Sequence, residues 1–114
     1  MKLVNSFSLN MLEQLPCNLR IEEVFEATKI VKCVKVENYI GHADTDRIVR
    51  RILGNCIPPG KRETIQVALN ETVLVAQYIG QRLPEGATEL PEGAEIRFFA
   101  VTPYIPSQDS IFLP

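Results

Sequence analysis

The run "TVLVAQYI", residues 72–79, is apolar at almost every position and is interrupted inside only by Gln77. A strand with one wet face alternates apolar and polar residues, because successive side chains point to opposite sides. A strand that does not alternate is covered on both faces, as in sheets that pack against helices. The run therefore predicts an α/β protein with a central sheet. It also makes Gln77 the odd residue, because a buried amide needs hydrogen-bond partners.

The segment after His42 supplies a helix for that sheet. Ile48, Val49, Ile52 and Leu53 recur at helical spacing as one apolar stripe, while Arg47, Arg50 and Arg51 point elsewhere. Asp44 or Thr45 can cap its start, and Gly54-Asn55 can end it. "KLVN" reads as a short buried strand. Asn5 or Ser8 can then cap a short helix carrying Leu9, Met11, Leu12 and Leu15, stopped by Pro16. "CNLRIEEVF" reads as a strand, "EATKIVKCV" as a short helix, and "KVENYIG" as a strand ending at Gly41. "ETIQVAL" alternates, with Ile65, Val67 and Leu69 on one face, and Asn70-Glu71 turns the chain into the apolar run. Leu-Pro-Glu-Gly occurs twice, seven residues apart, which two neighbouring turns explain without a repeat architecture. "EIRFFAVTPY" is the last strand. The expected fold is a single α/β domain over 1–103, a mixed central sheet flanked by helices, followed by a Pro-bounded tail over 104–114.

With 114 residues the chain can bury one core without staples. No apolar stretch approaches the roughly 20 residues that span a bilayer, and the N-terminus lacks a signal-peptide shape, so no membrane partner and a cytoplasmic location are expected. Cys17, Cys33 and Cys56 are odd in number and far apart, and they read as small apolar residues of a reducing compartment. One histidine and no Cys-x-x-Cys spacing offer no set of ligands for a transition metal, and no cofactor is expected. The net charge of −2 conceals a basic stretch. Between Lys29 and Arg62 stand eight basic residues against Glu37, Asp44 and Asp46, whereas only Arg82 and Arg97 follow. Such a stretch is either a solvated face or a local anion site.

Three segments can carry chemistry. His42 follows a glycine at a strand end and precedes a helix, where helix N–H groups attract anions and where ligands of open α/β sheets sit. It is otherwise a lone structural histidine. Asn5, Ser8 and Asn10 are short polar groups at the end of the first strand, although capping alone would account for Asn5 and Ser8. Arg82 leaves the buried strand just before a Pro-Glu-Gly turn, and a guanidinium is well shaped to grip a phosphate in a fork. Glu85 either orients Arg82, accepts a hydrogen bond from a sugar hydroxyl, or forms a surface pair of little energetic value.

Together "NSFSLNML", "YIGHADT" and "QRLPEG" stand in the order and spacing of the small viral and prophage ring nucleases, and the chain resembles that family over residues 2 to about 102. Its members act as anti-CRISPR proteins by destroying cyclic tetra-adenylate, the second messenger of type III CRISPR immunity. Asn38-Tyr39 precedes the Ile-Gly-His motif, where the family often has smaller residues. The resemblance implies a homodimer with the ring-shaped ligand across its two-fold axis. It implies His42 as general acid, with Arg82, Glu85 and Ser8 contacting or orienting the scissile linkage. Asn5, Asn10, Gly41 and Gln77 match positions of ligand contact. Two other readings stand beside it. One is a non-catalytic sensor or sequestering protein of the same fold; the other is a DNA-associated protein built on the basic stretch, although no stable DNA partner is expected.

Overall fold

A computed structural model describes residues 1–54 and 56–106. Its five strands are β1 (Lys2–Val4), β2 (Asn18–Val24), β3 (Glu37–Asn38), β4 (Val73–Ile79) and β5 (Glu95–Tyr104), and its helices are α1 (Ala27–Cys33) and α2 (Ala43–Leu53). They form one mixed sheet in the order β2-β5-β4-β1-β3. β1 pairs in parallel with both β3 and β4, whereas β5 runs antiparallel to its neighbours β4 and β2. The α/β expectation holds.

The apolar run lies inside this sheet, and its residues divide between two cores. Leu74 and Ala76 join Leu3, Val31, Ile40, Val49, Leu53 and Phe98 on the helical face. Val73 and Val75 join Val4, Ile65, Val67 and Val101 on the other. Four consecutive residues of β4 are therefore buried, which is why alternation fails there. Gln77 departs from the expectation of a buried amide. It is exposed, and its amide donates to the Tyr78 carbonyl at 3.1 Å. The reason is the length of the neighbour: β1 pairs with β4 only at Leu74 and Val75, so Gln77 extends past the end of β1.

Both helices pack on one face, and irregular chain covers the other. The segment 63–69 is not the strand its alternation suggested. Its one β-bridge among the described residues is isolated and parallel, Leu12 with Val67, while Ile65 and Val67 are buried against the sheet. Alternation there records one-sided burial rather than a ladder. The expected helix around residues 9–15 shrinks to a 3-10 turn, Leu9–Met11, because Leu12 turns extended to make that bridge. Leu9 and Leu15 are consequently exposed. The strand expected over 35–41 is only Glu37–Asn38, paired with the three-residue β1. In α2 the stripe is buried at Ile48, Val49 and Leu53, but Ile52 is 41% exposed. Gly54 ends α2 with φ at 110° and its N–H on the Arg50 carbonyl; Asn55 lies outside the described residues, as does the tail from 107 onward. The three cysteines are free, and Cys33 and Cys56 are exposed rather than packed.

Lys2 ties β1 to the turn before β4 through an ion pair with Glu71 at 3.0 Å. Burial pushes the Glu71 carboxyl up, but the Ala68 N–H and the Lys2 ammonium outweigh it and hold the group below its ordinary 4.5. A carboxylate whose folded pKa is depressed stabilises the fold above its unfolded pKa, and that share is lost as pH falls through the folded value. Glu71→Gln is expected to cost about 1 kcal/mol near neutral pH and to flatten the loss of stability below pH 4.5. Urea unfolding at a series of pH values checks it; an unchanged acid limb would show that the pair is immaterial.

Candidate active site

Because β3, β1 and β4 are parallel, all three strands end on one edge of the sheet. There the chain passes from β1 into Asn5, from β3 towards His42, and from β4 towards Arg82. An open cavity of about 700 Å³ lies at this edge, lined among others by His42, Asp44, Thr45, Arg82, Pro84 and Glu85. Two of the three predicted segments thus meet in one place, as the strand-end rule for α/β sheets anticipates.

His42 is itself the N-cap of α2, a role expected of Asp44 or Thr45. Its backbone is extended, with φ −90° and ψ 116°, and its Nδ1 accepts the Thr45 N–H at 3.2 Å. The cap satisfies one of the helix's orphan donors and assigns the tautomer: in the neutral ring Nδ1 is the acceptor and the hydrogen sits on Nε2. The ring edge left for a ligand is therefore Nε2. The Thr45 hydroxyl lies 3.2 Å from the same Nδ1 and can turn either to donate or to accept.

The turn carrying His42 is held from below by Asp46, which is 6% exposed. Its Oδ1 accepts from Asn38 Nδ2 at 2.6 Å, and its Oδ2 accepts from Arg50 Nε at 3.2 Å and from Gly60 N–H at 3.0 Å. Asn38, 2% exposed, also donates to the Pro58 carbonyl and accepts the Ile40 N–H through Oδ1. Asn38 is thus a buried clamp between the end of β3, α2 and the Pro58–Gly60 turn. Gly60 is required beside it, since a Cβ there would run into the Ile40 carbonyl.

The opposite wall is the first Leu-Pro-Glu-Gly copy. Ala87 N–H donates to the Pro84 carbonyl at 3.1 Å with Gly86 at φ 79°, and Ala94 to Pro91 at 3.0 Å with Gly93 at φ 81°. The two copies make the same turn, with glycine at the position that needs positive φ. Arg82 and Glu85 are exposed, and no ion pair joins them among the described residues. The surface-pair reading of Glu85 therefore lacks its partner.

Other expected residues are not among the lining side chains. The Ser8 hydroxyl caps the 3-10 turn, accepting the Asn10 N–H at 3.3 Å, as the capping reading anticipated. Asn5 is half-buried where β1 ends, Asn10 is exposed within the turn, and Gln77 lies on the free end of β4. Gly41 is exposed; a Cβ there would sit 3.3 Å from Arg62 Cγ. Arg62 beside the Ile-Gly-His turn, and Asp44 and Thr45 in the cavity, carried no site role in the sequence reading. Asp44 and Thr45 stood there only as candidate helix caps and within "YIGHADT". Among the described residues no three His, Cys, Asp or Glu side chains gather as a metal-binding group, and no helix is long and apolar enough to cross a membrane.

The open mixed sheet, with a cleft at its strand ends, defines a single-domain α/β protein. The chain belongs to the STIV B116-like family, whose model matches residues 1–99. Among solved structures it is similar to B116 of Sulfolobus turreted icosahedral virus, with 27% identity and a TM-score of 0.71 over 89% of this chain and 97% of that one. The family is thus one with a viral namesake. No curated protein matches the chain.

Proposed function

We propose that the protein is a metal-independent ring nuclease that cleaves cyclic tetra-adenylate and so counters type III CRISPR signalling in the cytoplasm of a host. The observation that carries this reading is the one cavity lined by His42, Arg82 and Glu85, with Nδ1 of His42 already engaged by Thr45. A 3′–5′ RNA linkage brings its own nucleophile. The 2′-oxygen bonds to phosphorus and loses its proton to solvent, while the bond from phosphorus to the 5′-oxygen breaks. His42, in its protonated form, delivers the Nε2 proton to the departing 5′-oxygen. In that form Nδ1 also carries a hydrogen, so the ring gives up its cap on the Thr45 N–H and can donate to the Thr45 hydroxyl instead. Arg82 suits the charge on the phosphoryl oxygens, and Glu85 suits alignment of the 2′-hydroxyl. Ser8, Asn5, Asn10, Gly41 and Gln77 belong to this reading as contacts of the wider ring.

One open cleft covers only part of a four-nucleotide ring. A two-fold homodimer would present two such clefts to it, and two opposite linkages would break. The products are then two linear di-adenylates ending in 2′,3′-cyclic phosphate. The runner-up is a non-catalytic sensor or sequestering protein, favoured by the structural duty that His42 already has as a cap.

Incubation with labelled cyclic tetra-adenylate in EDTA tests the proposal. Undiminished cleavage to di-adenylates with cyclic phosphate ends is expected. Activity that vanishes in chelator and returns with manganese or magnesium would overturn the internal-nucleophile mechanism, and tight binding without products would favour the sensor.

A further inference from the structure

We propose that Asp44 is a positioning residue for this site, holding the Pro84–Gly86 turn, and with it Arg82 and Glu85, at a set distance from His42. The inference rests on the ring-nuclease reading of the cavity and adds the device that sets the cavity's width.

Asp44, Arg47 and Arg51 are spaced three and four residues apart, so they share one face of α2. Each bonds the backbone of a successive loop residue. Gly86 N–H donates to Asp44 Oδ2 at 2.9 Å, Arg47 Nη1 donates to the Ala87 carbonyl at 3.3 Å, and Arg51 Nη1 to the Thr88 carbonyl at 2.7 Å. The helix thus acts as a rail, itself anchored in the core by Val49 and Leu53. Its first rung connects the two catalytic walls, being two residues from His42 and bonded to the residue after Glu85.

Asp44 holds rather than binds, because its charge is wrong for a phosphate and its oxygens are engaged. Oδ1 pairs with Arg47 Nη1 at 3.2 Å, Oδ2 takes Gly86, and the side chain is only 14% exposed. A carboxylate in the first turn of a helix is also favoured by the helix dipole. The geometry therefore keeps an acid at the cavity wall with its charge offset by Arg47 and the Gly86 N–H.

The test compares Asp44→Ala with Asp44→Asn, which keeps an acceptor for Gly86. Three readings are taken: melting temperature, steady-state cleavage of cyclic tetra-adenylate, and amide exchange at Gly86. Expected for Asp44→Ala is a melting temperature near wild type, kcat lowered about ten- to a hundredfold with a smaller rise in KM, and faster exchange at Gly86. Asp44→Asn should recover most of the rate and the protection. Wild-type turnover in a folded Asp44→Ala protein overturns the proposal, as does an Asp44→Asn protein as slow as the alanine variant, which would assign the effect to charge. If wild type leaves the ring uncleaved, the ring-nuclease reading fails separately. The exchange data then decide the rail: acceleration in alanine with recovery in asparagine supports it, and unchanged exchange overturns it.

Discussion

Replacing His42 by alanine is expected to slow cleavage of cyclic tetra-adenylate about 10²–10⁴-fold while leaving affinity for the ring almost unchanged. Leaving-group protonation belongs to the transition state, so losing the acid lowers turnover more than binding. Alanine also removes the cap on Thr45 N–H, at a cost of about 1 kcal/mol. His42→Asn separates the two roles, because asparagine is a strong N-cap but has no comparable acid. It should melt like wild type and cleave as slowly as the alanine variant. Arg82→Ala should weaken binding and turnover together, since a phosphate contact already exists in the bound ground state. Single-turnover cleavage against equilibrium binding distinguishes these patterns. An asparagine variant that cleaves as fast as the parent would leave His42 only its cap.

Asp46→Ala is expected to destabilise the protein by about 3–5 kcal/mol, which can abolish folding in a domain of this size. Asp46 is nearly inaccessible and serves Asn38, Arg50 and Gly60 at once. Its removal leaves one hydrogen of the buried Asn38 amide and the part-buried Gly60 N–H without an acceptor, and Arg50 without its pair. Arg50 is 34% exposed, so water recovers part of its loss and the lower end of the range is expected. Asp46→Asn keeps an acceptor oxygen and should fall between the two. Urea or thermal unfolding measures this, at roughly 4–8 °C per kcal/mol. A shift below about 1 kcal/mol would mean that water replaces the carboxylate and that the clamp is dispensable.

Elements whose evidence is local or periodic are legible in the amino-acid order alone. The apolar run of β4 announced a sheet covered on both faces, and α2 followed from its stripe. The two Leu-Pro-Glu-Gly turns followed from glycine where positive φ is needed. Strand-end logic marked His42, Arg82 and the Asn5–Asn10 segment one by one, and the parallel pairing of β3, β1 and β4 is what puts the first two at one cavity. Features that depend on what lies opposite a residue emerge with the folded chain. Ile65 and Val67 alternate as strand residues do, yet they cover a sheet face instead of joining its edge. Gln77 is exposed because β1 is short, a fact of its neighbour rather than of its own strand. His42 took the cap from Asp44, whose oxygens were claimed by Arg47 and by Gly86, a residue 42 positions away in the chain. Periodicity reports burial, but a side chain's hydrogen-bond partner is a matter of three-dimensional proximity, and distant segments compete for it only once the chain has folded.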